Sequence, residues 1–310
     1  MKNSVSGRTA WLISVGAAAL AAALLRRWQL ASAFEPDTGL ATPGAQASVI
    51  LVCLLVMAGA WLILLAMGRA GGPDPACRWD MVFLNRGDPV FPALAVAAAV
   101  LAALVVPVLF VVGVDQFQLY QMAREAGAQP PSNNGMLTLA TAAGALLAAL
   151  GLLQMGRDGL RPGRRGRGGF SAALPGVAGC VWLMESFRSH AANPVQWDYA
   201  PQLIAIVVGM GFYMDFAGMS AGAPRPRRLL WMAGMTVILS APPLATVLAE
   251  LSARLAAGGS LLAAETGDAL LLLSQLLAAA GVLWRLPPYL ERSAPPSPEE
   301  ASIEEETTDE

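Results

Sequence analysis

The side chains that could perform chemistry are few and widely spaced along this chain. His190 is the only histidine among 310 residues. A zinc site of the HExxH type needs two histidines, and no Gly-x-Ser-x-Gly nucleophile elbow is present to work with His190. The GxxxxGK[ST] loop of nucleotide hydrolases is also missing from the sequence. We therefore expect no enzymatic activity, no metal centre and no bound cofactor.

Two acidic residues lie inside long apolar runs, where an ionised side chain is costly. Asp215 has no basic residue within two turns on its own predicted helix. It must therefore pair with another helix, become protonated or face water. Glu185 lies one helical turn from Arg188, which predicts a local ion pair. Neighbouring antiparallel helices would place the two acids about 12 Å apart in depth, so we expect them not to share an ion.

Two consecutive prolines, Pro242 and Pro243, interrupt the seventh apolar run. Each removes a backbone donor, so the pair predicts a break in that helix. Carbonyl groups freed by such a break can line a cavity, as in transporters with discontinuous helices. A packed kink is the simpler alternative. Ser274 and Gln275 in the eighth run would complete a polar patch with Asp215.

These residues are embedded in an unusually apolar chain. It is 55% hydrophobic and 14% charged, with a mean hydropathy of +0.53, whereas soluble domains are about 25% charged. The apolar runs are long enough to cross a hydrocarbon layer about 30 Å thick. Backbone groups in lipid must hydrogen-bond within their own segment, so these runs predict helices. The predicted fold class is all-α, a polytopic bundle of about eight transmembrane helices.

Eight apolar runs define the predicted membrane domain, residues 1–290. The predicted spans are 9–25, 48–68, 91–113, 135–156, 169–187, 201–222, 229–251 and 264–286. The polar segment after the third span is predicted to extend that helix before a turn.

The first span is the weakest. It is short, and Ala31-Ser32-Ala33 resembles a signal-peptidase site. Because Arg26 and Arg27 would impede translocation, we favour an uncleaved helix, and cleavage would leave seven spans.

Arginine and lysine in short loops mark the cytoplasmic side of membrane proteins. With a cytoplasmic N-terminus, fifteen of the 20 such residues fall in cytoplasmic segments, five of them in the loop 157–167. The remaining five, assigned to outside loops, are Arg26, Arg27, Arg124, Arg188 and Arg254. We therefore expect both termini in the cytoplasm and a location in the bacterial cytoplasmic (inner) membrane.

The C-terminal segment 291–310 differs in composition from the rest of the chain. It contains three prolines and a run of acidic residues with few apolar side chains. Such segments cannot form a packed core, which predicts a disordered cytoplasmic tail. An alternative is that the tail docks on a basic cytoplasmic partner.

Three classes of function remain open at this stage. The first is a non-catalytic accessory or scaffold subunit in contact with the lipid bilayer and with another membrane protein. The second is a small-solute transporter that uses Asp215 and the break at Pro242 and Pro243. A membrane-embedded enzyme would require two convergent polar residues, which the sequence does not reveal. We expect no nucleic-acid partner. A cavity reaching Asp215 would favour transport, whereas a bonded Asp215 would favour the accessory role.

Overall fold

The computed structural model describes residues 3–35, 40–67, 82–83, 88–129, 131, 133–160, 168–191 and 199–292. Eight long helices make up nearly all of this part of the chain. They are α1 Asn3–Ser32, α2 Gln46–Met67, α3 Val90–Glu125, α4 Met136–Leu160, α5 Gly168–Ala191, α6 Ala200–Ser220, α7 Pro226–Ala256 and α8 Ala264–Arg292. Apart from an isolated bridge between Phe34 and Ala41, these ranges contain no strand pairing. The predicted all-α bundle is confirmed.

Each helix is long and apolar enough to cross a membrane. The most apolar window of each has a mean hydropathy between 1.3 and 2.9. The runs predicted from sequence correspond one to one with the eight helices. Helix α3 continues to Glu125, so the predicted extension of the third helix is also confirmed. Most of the loop 157–167 and of the acidic tail 291–310 lies outside the described residues.

The first helix is longer than predicted, because the polar residues after its apolar run remain helical. Arg26 and Arg27 lie within α1, so the prediction that they belong to a loop is wrong. Arg26 is only 1% exposed, and its guanidinium donates to Gln29 Oε1 at 2.6 Å and to Thr246 Oγ1 at 3.2 Å. Gln29 in turn donates to Ser48 Oγ at 2.8 Å. These contacts with α7 and α2 provide acceptors for the arginine, so the helix need not end.

Six helices close into a ring. Each of α3 to α8 packs against the next in chain order, and α8 packs back against α3. Helix α1 lies outside this ring against α7 and α8, and α2 packs against α1 and α7. The centre of the ring is filled by apolar side chains such as Phe212, Ile238 and Leu272. The polar residues that the sequence analysis names within the spans all belong to the ring helices. They are Glu185, Asp215, Ser274 and Gln275.

Small residues let the ring helices approach closely. A Cβ atom on Gly151 of α4 would collide with the Ser171 carbonyl oxygen and lie 3.1 Å from Leu174 Cβ, both on α5. Gly144 faces Ala178 across the same interface. Close backbone contact of this kind supplies the van der Waals packing on which helix association in lipid depends.

The described arginines that the sequence assigned to cytoplasmic segments lie at one end of the bundle, here called the arginine-rich end. Arg285 pairs with Asp88 at 3.5 Å, joining α8 to the start of α3. The Arg8 guanidinium lies 4.3 Å from the centre of the Trp284 ring, joining α1 to the same end. The opposite end carries the connection between α7 and α8, where Arg254 pairs with Glu265 at 2.6 Å.

Substituting Gly151→Ala should destabilise the bundle, because the added methyl group has no room between α4 and α5. We expect a loss of about 1–3 kcal/mol, the usual cost of overpacking. The measurement is the thermal unfolding midpoint of the purified chain in detergent. Gly16→Ala on α1 is the matched control, because a Cβ there meets nothing within 4 Å. Equal midpoints for the two variants would contradict the packing described for α4 and α5.

Candidate functional site

Asp215 lies near the end of α6, at the arginine-rich end of the bundle. Its Oδ2 atom pairs with Arg228 Nε at 2.9 Å, on the first turns of α7. Of the three alternatives open from sequence, pairing with another helix is therefore the one found. The Arg228 side chain is half exposed, and exposed ion pairs contribute about 0–1 kcal/mol. This pair fastens the α6–α7 connection without enclosing a site.

The expected patch of Asp215 with Ser274 and Gln275 does not form. Ser274 Oγ donates to the Ala98 carbonyl oxygen at 2.8 Å, which joins α8 to α3. Gln275 Nε2 donates to the Ala205 carbonyl oxygen at 2.9 Å and lies 3.3 Å from Ser240 Oγ. These buried bonds connect α8 to three other ring helices. They serve helix association rather than a centre around Asp215.

The predicted helix break at Pro242 and Pro243 is also wrong. Helix α7 runs without interruption through both prolines, and both are buried. Thr246 Oγ1 donates to the Pro242 carbonyl oxygen at 3.3 Å, one turn further along. The same hydroxyl oxygen accepts from Arg26 of α1. Hydroxyl donors and neighbouring helices commonly make prolines tolerable within membrane helices.

Glu185 of α5 is the most enclosed acid among the predicted candidates, with 8% of its surface exposed. The ion pair with Arg188 that the sequence predicts stays a prediction. The hydrogen-bonding neighbour found for this carboxylate is Thr138 of α4. The Thr138 hydroxyl oxygen lies 3.4 Å from Glu185 Oε1 and 2.9 Å from Gln116 Oε1 of α3. A hydroxyl group has one hydrogen, so Thr138 can donate to only one of these oxygens at a time.

A second carboxylate, which the sequence analysis missed, lies beside Glu185. Asp268, one turn into α8, accepts a hydrogen bond of 2.7 Å from the Trp182 indole of α5. Its negative charge is close enough to repel that of Glu185. One feature of the sequence could have indicated this contact, namely the depth of the residues in the membrane. Trp182, Glu185 and Asp268 all lie a few residues inside the same end of their spans. The convergence of α5 and α8 could not be read from spacing.

Gln202 of α6 contributes an amide group at the same depth in the bundle as Glu185. It is 7% exposed, and its Nε2 atom has no hydrogen-bond partner. Close contacts of Gly176 with Tyr213 and of Gly179 with Met210 set the antiparallel register of α5 and α6. Two turns further, that register brings Gln202 level with the turn that carries Glu185. We call the set Gln116, Thr138, Glu185, Gln202 and Asp268 the carboxylate cluster.

A small cavity lies beneath the carboxylate cluster. Its volume is about 30 Å³, room for about two water molecules. Trp182, which bonds to Asp268, is part of its wall, together with the polar groups of Thr141, Tyr213, Ser274 and Gln275. Asp215, Pro242 and Pro243 are not in the lining.

Towards the arginine-rich end, four aromatic side chains pack against one another inside the bundle. Phe212 and Phe216 of α6 stack with ring centres 5.9 Å apart. Phe83 and Phe91 pack against Phe216 at 5.2 and 6.2 Å. All four rings are almost fully buried.

The fold and this arrangement define a multi-helix membrane protein with a buried carboxylate cluster near one end. Within the described ranges, no three His, Cys, Asp or Glu residues come together as a metal site. The chain matches no protein-family model, no curated protein and no solved structure.

Replacing Gln275→Leu should weaken the ring, because two buried hydrogen-bonding groups on α6 and α7 lose their partner. Bonds of this kind inside membrane bundles contribute about 1 kcal/mol each. The midpoint of thermal unfolding should fall measurably. Gln118→Leu on the exposed face of α3 is the matched control and should leave the midpoint unchanged. A midpoint for Gln275→Leu as high as the control's would show that this polar contact does not hold α8 in place.

Proposed function

We propose that this chain is a multi-pass protein of the bacterial cytoplasmic membrane, with both termini cytoplasmic, that acts as a non-catalytic accessory or scaffold subunit. The observation that carries the proposal is the bonding of the polar side chains between the helices. Asp215 pairs with Arg228, and Ser274 and Gln275 bond to carbonyl groups of other helices. These groups fasten the bundle to itself, as a rigid support requires.

A small-solute transporter built on Asp215, Pro242 and Pro243 is the rival proposal. It would need a cavity that reaches Asp215 or carbonyls exposed by a broken helix. Within the described part of the chain, the cavity of about 30 Å³ does not reach Asp215, and it is far smaller than the 300–1,000 Å³ typical of ligand pockets. Buried aromatic side chains, among them Phe212 and Phe216, pack inside the bundle towards the arginine-rich end. These features favour the accessory role.

The proposed partners are the lipid bilayer and a second membrane protein. Helix α2 is the helix that the bundle covers least. In its most apolar window 17% of residues are buried, compared with 61% in α7 and α8. Val56, Met57 and Leu64 present large exposed apolar side chains there. The acidic tail 291–310 would add a contact for a basic cytoplasmic partner, by charge complementarity.

Site-specific photo-crosslinking in the membranes of the source cells tests this proposal. A photoreactive residue at Met57 of α2 should give one discrete protein adduct, because a partner helix would cover this face. Leu150 of α4 is the matched control, since it is also exposed and apolar but lies on a ring helix with neighbours on both sides. We expect no protein adduct from that position.

Two results would count against the accessory role. One is the absence of any protein adduct at Met57, or the same set of adducts at Met57 and Leu150. The other is flux of small solutes through vesicles that contain only the purified chain, above the flux of protein-free vesicles. The second result would return the transporter proposal to first place.

A further inference from the structure

We propose that the carboxylate cluster is a binding site for one monovalent cation, either Na⁺ or a proton, that enters from the end of the bundle opposite the arginines. The two carboxylates, Glu185 and Asp268, would provide the charge. Thr138, Gln116 and Gln202 would supply neutral oxygen ligands or hydrogen bonds. This inference goes beyond the proposed accessory role and does not depend on it.

The first argument is the hydrogen-bond count at Thr138. Its single hydroxyl hydrogen is best directed at Gln116 Oε1, which is 0.5 Å closer than Glu185 Oε1 (2.9 against 3.4 Å). The Thr138 hydroxyl then presents a lone pair, and not a hydrogen, to the Glu185 carboxylate, so two acceptor atoms face each other. A carboxyl group 92% buried needs a partner in that position. A proton on Glu185, donated to Thr138, or a cation between the two oxygens satisfies both groups.

The second argument is independent of the acids. Gln202 is 93% buried, and its Nε2 atom lacks a partner. Leaving a buried amide without a hydrogen-bond partner is unfavourable. The register of α5 and α6 places it level with the turn of Glu185. Gln202 also lies about three helical turns from Tyr213, on the same face of α6, and Tyr213 lines the cavity beneath the cluster. The amide therefore lies on the face of α6 that is turned to the cluster, and turning it over presents its oxygen to a cation.

The elements around the cluster carry charged groups of both signs. The titratable or charged residues in the outer parts of the elements around it are Asp115, Tyr120, Arg124 and Glu125 on α3, Arg188 and His190 on α5, Tyr199 before α6, Glu250 and Arg254 on α7, and Glu265 and Asp268 on α8. Tyr213 of α6 lies in the cavity wall, and the outer half of α4 has none. Arg254 is already paired with Glu265 at the surface. The charge that acts on Glu185 from the facing helix is that of Asp268.

The site is built for binding rather than passage. The cavity beneath the cluster has room for about two waters, enough to hydrate a small ion. On the side towards the arginine-rich end, the buried rings of Phe212 and Phe216 stack with centres 5.9 Å apart. We expect an ion that enters from the opposite end to leave by the same route.

Thermal unfolding of the detergent-purified full chain tests the inference. Three buffers of equal ionic strength are compared: sodium chloride at pH 8, choline chloride at pH 8 and choline chloride at pH 5. A ligand that binds only the folded state raises the midpoint, here by about 2–4 °C for a chain of this size. A rise in sodium chloride identifies Na⁺ as the ligand, and a rise confined to pH 5 identifies the proton. Either result supports the site.

The variants decide where the ion binds. Glu185→Gln removes the charge but keeps the shape, so its midpoint should be the same in all three buffers. Asp268→Asn, which keeps Glu185, should reduce the shift and serves as the second variant if Glu185→Gln does not fold. Glu265→Gln is the control, because this acid lies on the same helix outside the cluster, and it should retain the full shift. Equal midpoints for the unmodified chain in all buffers, or an undiminished shift in Glu185→Gln, would overturn the proposal.

Discussion

The rest of the structure depends on one constraint, which is that polar groups within lipid must find their partners inside the protein. Eight helices satisfy their own backbone groups, and the ring of six then pairs its polar side chains across helix boundaries. Ser274 reaches a carbonyl group of α3, and Gln275 reaches one of α6. Even Arg26, which is almost fully buried, reaches Gln29 and Thr246. These bonds fix the order in which the helices pack.

The number and type of the elements could be predicted because apolar runs of about 20 residues leave few alternatives in a bilayer. Helix ends were harder, since Arg26 and Arg27 resemble a loop until partners on other helices are known. The predicted break at the two prolines was wrong for the same reason. The local sequence does not show the hydrogen bond from Thr246 or the packing of other helices around α7. Asp215 was recognised as needing a partner, but the partner, Arg228, lies on the following helix.

The carboxylate cluster marks the limit of what one sequence can reveal. Glu185 was a candidate, yet Asp268 and Gln202 join it only because α8 and α6 meet α5 at one depth. Such convergence follows from register and packing order. It also distinguishes the two ends of the bundle. The arginine-rich end is tied together by ion pairs and aromatic rings, whereas the opposite end keeps buried acids and an unsatisfied amide beside a small polar cavity.

The most direct test of the account asks whether the two ends of the bundle face opposite sides of the membrane. Single cysteines at Ser260→Cys, between α7 and α8, and at Ala223→Cys, between α6 and α7, would be placed in a chain whose own three cysteines are replaced. An impermeant maleimide applied to intact bacterial cells should label the first position, and the second only after the membrane is permeabilised. Labelling of both positions in intact cells would contradict a membrane-crossing α7. Labelling of Ala223→Cys alone would reverse the proposed orientation.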